Sequence, residues 1–156
     1  MRATVTALSV GIVLLLVGCD PGMTIRQAQA SNDSRTPLGT VGPRVTIRVK
    51  TTHQLFGEAW YDPDVEVINS LESPIAVTSV ELMTQKRSYP NTSPQPENRP
   101  ITIPPGSAET MKVSFRLEAG VHETFRQPAE LRVHYLTGDK EEIARTTIVR
   151  GPLGPD

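Results

Sequence analysis

From Val45 to Val149 the chain alternates apolar and polar residues in short runs, and most of these runs stop at proline, glycine or small polar residues. Period-two alternation buries one face of a strand and wets the other, so the pattern commits this segment to β-structure. Val45, Ile47 and Val49 share one face against Arg44, Thr46, Arg48 and Lys50. Val65 and Val67 lie in phase between Asp64 and Asn69, before a turn-rich stretch that ends at Pro74. In the following run, residues 75–83, the apolar phase slips from Ile75 and Val77 to Val80 and Leu82. One extra residue near Thr78 or Ser79 would produce that slip, which predicts a β-bulge.

Further along, the prolines of the polar stretch 86–100 predict a loop, with a short edge strand at residues 87–89. Residues 101–103 form another short strand, Pro104 to Ser107 a turn, and Met111, Val113, Phe115 and Leu117 the cleanest alternation in the chain. A hairpin is expected to join these two strands. Leu131, Val133 and Tyr135 alternate in the next strand, Thr137 to Lys140 turn the chain, and residues 141–149 return as the last strand. About seven strands at this spacing predict an all-β, two-sheet antiparallel sandwich. Fourteen prolines, eleven glycines and an aromatic content of 4% agree with many turns around a modest core.

Sixteen basic and 17 acidic residues leave a net charge of −1, which excludes the basic footprint of a nucleic-acid binder. The single cysteine, Cys19, ends an N-terminal stretch with Arg2 near its start and an apolar run from Ala7 to Val17. These are the three regions of a secretory signal. A chain with one thiol there forms no internal disulfide, so the core must hold the domain together. The segment Leu16-Val17-Gly18-Cys19 resembles the lipobox of bacterial lipoproteins. That resemblance implies recognition of Leu16, Val17 and Gly18 by signal peptidase II, cleavage before Cys19, and attachment of diacylglyceryl and acyl groups such as palmitate to Cys19. Two or three chains would hold a protein on a membrane far more firmly than one. Asp20, next in sequence, resembles an inner-membrane retention signal of enterobacterial lipoproteins, a rule that other bacteria do not share.

The stretch from Asp20 to Pro43 is rich in Pro, Gly, Ser, Thr, Asn and Asp and reads as a flexible tether, with a short helix at residues 24–30 as an option. As a coil it would span about 25 to 30 Å. The expected organisation is a signal peptide at 1–18, a lipidated N-terminus and linker at 19–43, a β-sandwich at 44–150 and a tail at 151–156.

The strand and turn sequence from Val65 through Leu82, with Ile103-Pro-Pro-Gly106 and Lys112-Val-Ser-Phe115, resembles immunoglobulin-like and fibronectin-like bacterial modules and is also similar to late-embryogenesis-abundant type 2 sandwich domains. The paired cysteines of antibody domains are not reproduced. Such modules imply a fold without fixing an activity.

Candidate chemistry is sparse. Asp62, Asp64 and Glu66, two residues apart, would share a strand face and are weak candidates for calcium, with a solvated strand terminus as the competing reading. His53, His122 and His134 have no metal-ligand spacing, and His134 is placed on the outward face. No G-x-S-x-G, S-x-x-K or Cys–His pairing is present, so no enzyme and no cofactor is expected. Trp60 and Tyr61, with Phe56 nearby, form the one aromatic cluster, and with Tyr89 they are the candidate binding surface, although aromatics more often cap a small core. The expected function is a lipid-anchored extracytoplasmic lipoprotein of the cell membrane or outer membrane, acting as a non-enzymatic protein-binding or assembly module of the envelope. The competing reading is a module for envelope polysaccharide or a cation, using the region from Trp60 to Glu66.

Overall fold

The computed structural model describes residues 22–27, 44–50, 52–55 and 58–150. The leader, Leu16, Val17, Gly18, Cys19 and the tail 151–156 lie outside these residues. In chain order the strands are β1 (Gly22–Gln27), β2 (Val45–Val49), β3 (Thr52–Leu55), β4 (Trp60–Tyr61), β5 (Asp64–Asn69), β6 (Ile75–Met83), β7 (Ser88–Pro90), β8 (Ile101–Ile103), β9 (Ala108–Lys112), β10 (Phe115–Arg116), β11 (Ala129–Thr137) and β12 (Lys140–Arg150). One short helix, α1 (Gly120–Thr124), precedes β11.

The protein is an all-β antiparallel sandwich. One layer runs β3-β1-β12-β11-β6-β7, with β8 also on β6, and the other runs β2-β5-β9. A two-stranded ribbon pairs β4, which comes just before β5 in the chain, with β10, which comes just before α1. With β2, β5 and β9 in one layer and β7, β6, β11 and β12 in the other, these seven strands take the immunoglobulin-like arrangement, and β1, β3, β4, β8 and β10 are added to it. Alternation delivers Ile47, Val49, Val65, Val67 and Met111 from the small layer, and Val77, Leu82, Leu131, Val133 and Ile148 from the large one, into a single core.

The expected bulge is present: His134 pairs with Ser79 and Tyr135 with Val77, which leaves Thr78 as the extra residue. Thr78 Oγ1 donates to the His134 carbonyl at 3.3 Å, which gives the displaced residue a local partner. The β11–β12 hairpin closes through Gly138 and Asp139, with Thr137 opposite Lys140. Gly138 has φ +60°, a region an L side chain enters only with strain, so glycine is needed there.

Three expectations are corrected. Residues 22–27 are neither tether nor helix but strand β1, paired with β12 on one side and β3 on the other. Its core contact is Ile25, fully buried, and the side chain of Gln27 stitches the two layers. Gln27 Nε2 donates to the Ile47 carbonyl at 2.9 Å and to Thr146 Oγ1 at 2.5 Å, and Gln27 Oε1 accepts from Val49 N at 3.0 Å. The expected hairpin between residues 101–103 and 111–117 does not form either. β8 pairs with β6 in the large layer whereas β9 pairs with β5 in the small one, so the Pro104–Ser107 turn is a crossover between layers. The long alternation from Met111 to Leu117 is one buried face but two strands, because β9 stays with β5 and β10 joins β4.

Candidate functional site

The ribbon decides the fate of the aromatic cluster. Phe115 stands opposite Tyr61 and Arg116 opposite Trp60, so alternation turns Tyr61 inward and Trp60 outward. Tyr61 is completely buried, with its ring 5.0 Å from Phe125 in an edge-on contact and 6.1 Å from Phe115 in a stacked one. Tyr61 is therefore core and not binding surface. Trp60 remains 43% exposed, one of two large apolar side chains in that state among the described residues. Tyr89 is also buried, reaching solvent only along the wall of a groove.

The three carboxylates of the cation reading take separate partners. Asp62 accepts a hydrogen bond from Ser114 Oγ, Asp64 lies 4.0 Å from Lys50 Nζ, and Glu66 lies 3.5 Å from Arg48 Nη1. No group of three metal-ligating side chains is assembled among the described residues.

The structure instead forms a groove of about 640 Å³ at one end of the sandwich. One wall is the turn after β6, where Thr84 N donates to the Arg87 carbonyl at 2.8 Å and Arg87 N to Thr84 Oγ1 at 3.1 Å. The other wall is Glu118, Ala119 and the segment from Glu123 to Pro128. Helix α1 is fixed there because Val121 and the following Phe125 are buried in the core, and Val121 N donates to the Glu58 carbonyl at 2.8 Å. A smaller hollow beside the groove adds Pro90, Thr92 and Arg116. Arg87 and Glu118 line both hollows and form an ion pair between them, and Arg126 pairs with Glu123 at 3.0 Å. Sequence reasoning missed this place, since its only local signal was the consecutive Lys86 and Arg87 in a polar loop.

A second polar cluster covers the outer face of β6, β11 and β12. His134 Nε2 is 3.2 Å from Glu81 Oε1, and its Nδ1 is 3.4 Å from Glu141 Oε1. Ser88 Oγ donates to Glu81 Oε2 at 2.6 Å, and Arg132 Nη1 stands 3.6 Å from Glu81 Oε1. The Ser88 hydrogen bond, aided by His134 and Arg132, holds the Glu81 carboxyl below the usual glutamate range against the opposing effect of burial. Nearby, burial pushes the Tyr135 hydroxyl up to about 12, and its hydrogen bond to Glu142 adds to the effect. A lowered folded-state value means that Glu81 contributes stability above the ordinary glutamate range and loses it as pH falls through the folded value. Glu81→Gln is expected to cost about 1 kcal/mol in urea unfolding at neutral pH. The gap to wild type should narrow as the pH falls through the folded value of Glu81, and a gap that stays equal under acid conditions would remove Glu81 from this role.

No known protein family matches the chain, and no curated protein does. Among solved structures it is similar to the Northeast Structural Genomics Consortium target SoR45, at 13% identity and TM-score 0.47, over 70% of this chain and 88% of that one. It is also similar to a protein from Archaeoglobus fulgidus, at 18% identity and TM-score 0.35, over 69% of this chain and 94% of that one.

Proposed function

We propose that this chain is a lipoprotein of the cell envelope, lipid-anchored through Cys19 in the cell membrane or outer membrane, and that its β-sandwich is a non-enzymatic protein-binding or assembly module. The observation that carries the anchor is Leu16-Val17-Gly18-Cys19 at the end of an apolar leader, with the only cysteine of the chain at the modified position. A thiolate is the competent nucleophile for thioether formation, and the small Gly18 gives a peptidase access to the bond before it. For the module, the supporting feature is β9. Among the described residues β9 pairs with β5 alone, and Ala108, Glu109 and Thr110 are exposed along it. An edge of this kind receives an added strand by backbone hydrogen bonding, which supplies affinity without a pocket.

Intact-mass measurement of the protein from bacterial membranes tests the anchor. The expected mass is that of residues 19–156 plus acyl groups, and the Cys19→Ala variant is expected to lack the lipid. An unmodified full-length mass in the wild type would overturn the reading.

A further inference from the structure

We propose that the sandwich lies against the membrane by one defined end, the one bearing Trp60, Lys86, Arg87, Arg116 and Arg126, and that this end contacts anionic phospholipid head groups. The proposal rests on the lipid anchor at Cys19.

Chain reach gives the first argument. Strand β1 begins at Gly22, so only Asp20 and Pro21 separate it from Cys19. Three Cα–Cα steps span at most about 11 Å, which cannot hold a domain clear of the lipid surface. An anchor placed so close also fixes which end of the sandwich faces down.

The register identifies that end. Ile25 pairs with Arg150, the last residue of β12, and the pairing of β1 continues beyond it toward Gly22 and Leu55. Ala129 pairs with Ile148 and Glu130 with Met83, so Pro128 and Thr84 lie at the same end as Arg150. The groove between the Thr84–Arg87 turn and the Glu123–Pro128 segment therefore opens where the anchor enters. The β11–β12 hairpin at Gly138 is at the opposite end of a nine-residue strand, about 30 Å away.

Charge and polarity differ between the two ends in the sense a membrane requires. At the anchor end Lys86, Arg87, Arg116 and Arg126 are exposed, against Glu58, Glu118 and Glu123. Lys86 makes no ion pair among the described residues. Trp60 stands beside Arg116 across the β4–β10 ribbon, with its indole exposed. Tryptophan favours the head-group layer, and basic side chains near an anionic leaflet are drawn to it. The far end carries exposed Asp139 and Glu141 on the hairpin and Glu72 in the adjoining turn, with Lys140 and Arg44 as the opposing charges. An acidic end pointing away and a basic, aromatic end pointing down form a complementary pair of faces.

The test uses the lipidated full chain in vesicles of phosphatidylethanolamine and phosphatidylglycerol, with a spin label at Gln85→Cys or at Asp139→Cys and a paramagnetic nickel chelate on the lipid head groups. The expected result is strong relaxation at position 85, little at position 139, and a blue shift of Trp60 emission on vesicle insertion. Relaxation at 85 should weaken in the Lys86→Glu/Trp60→Ser double variant and in vesicles of phosphatidylcholine alone. Equal relaxation at both positions in a protein whose mass shows lipid on Cys19 would overturn the orientation while leaving the anchor standing. Undiminished relaxation at 85 in the double variant, or on zwitterionic vesicles, would overturn the role given to these side chains. A mass without lipid would instead remove the anchor itself.

Discussion

Phe125→Ala is expected to destabilise the domain by about 4 kcal/mol and to lower its unfolding midpoint by about 20 °C. Phe125 follows the last turn of α1 and is 1% exposed, with its ring against Tyr61 and, through Tyr61, in line with Phe115. Truncation there leaves a void lined by rings that cannot collapse onto one another, and rigid surroundings bring large-to-small costs toward the top of their range. Val121, one turn earlier, would also lose its neighbour on the same side of the helix. Trp60→Ala, next in sequence to Tyr61 but facing water, is expected to change stability by no more than about 0.5 kcal/mol, as surface changes do. Thermal unfolding of the two variants side by side would test the division of the aromatic cluster. Similar midpoints would contradict the buried position of Phe125.

Asn69→Ala is expected to cost about 3 kcal/mol, close to 15 °C in midpoint. Asn69 is fully buried at the end of β5, where its Nδ2 donates to the carbonyls of Ser73, Ile103 and Pro104 at 2.9, 3.0 and 3.2 Å. Its Oδ1 accepts from Leu71 N at 3.0 Å, and its backbone bonds Ser107 and Gly106. One side chain thus satisfies the turn between β5 and β6 together with the crossover from β8 to β9. Alanine would leave several of those backbone groups dry and unpaired, which is the costly half of hydrogen-bond energetics. Asn69→Asp should be no better, because it removes the donors and sets a charge against the same carbonyls. A loss below about 0.5 kcal/mol for Asn69→Ala would mean that water replaces the amide at this site.

The strands legible in the sequence were those whose own alternation is strong: β2, β5, β6, β11 and β12 lie within a residue or so of where apolar phase places them, and the phase slip marked the bulge at Thr78. Strand β1 was hidden because its neighbours in sequence are loop-formers and its stability comes from β12 and β3, distant in the chain. The pairing of β8 was misread because a Pro-Pro-Gly turn looks the same whether it closes a hairpin or crosses between layers. What separates the two is Asn69, whose reach to Ile103 and Pro104 no local pattern reveals. The cluster Trp60–Tyr61 was seen as a unit, yet alternation alone would have put the two rings on opposite faces had the ribbon with Phe115–Arg116 been recognised. Asn91 is a parallel case. Its side chain binds Ser93, Gln95, Glu97 and Ser114 and so shapes the proline-rich loop, while the sequence around it shows only polar residues.

The union of β1 with β12 joins the first described strand to the last. Contacts between the two ends of a chain form only after the whole chain is present, and topologies dominated by such pairings fold slowly. Until β12 has emerged, β1 has no partner in β12, and the outer edge of β2 lacks the clasp that Gln27 provides. The nascent protein therefore spends its synthesis with strand edges uncovered, the form most prone to sticking to other chains and most in need of a chaperone. A chain built this way cannot lock into its final shape until its last strand is made.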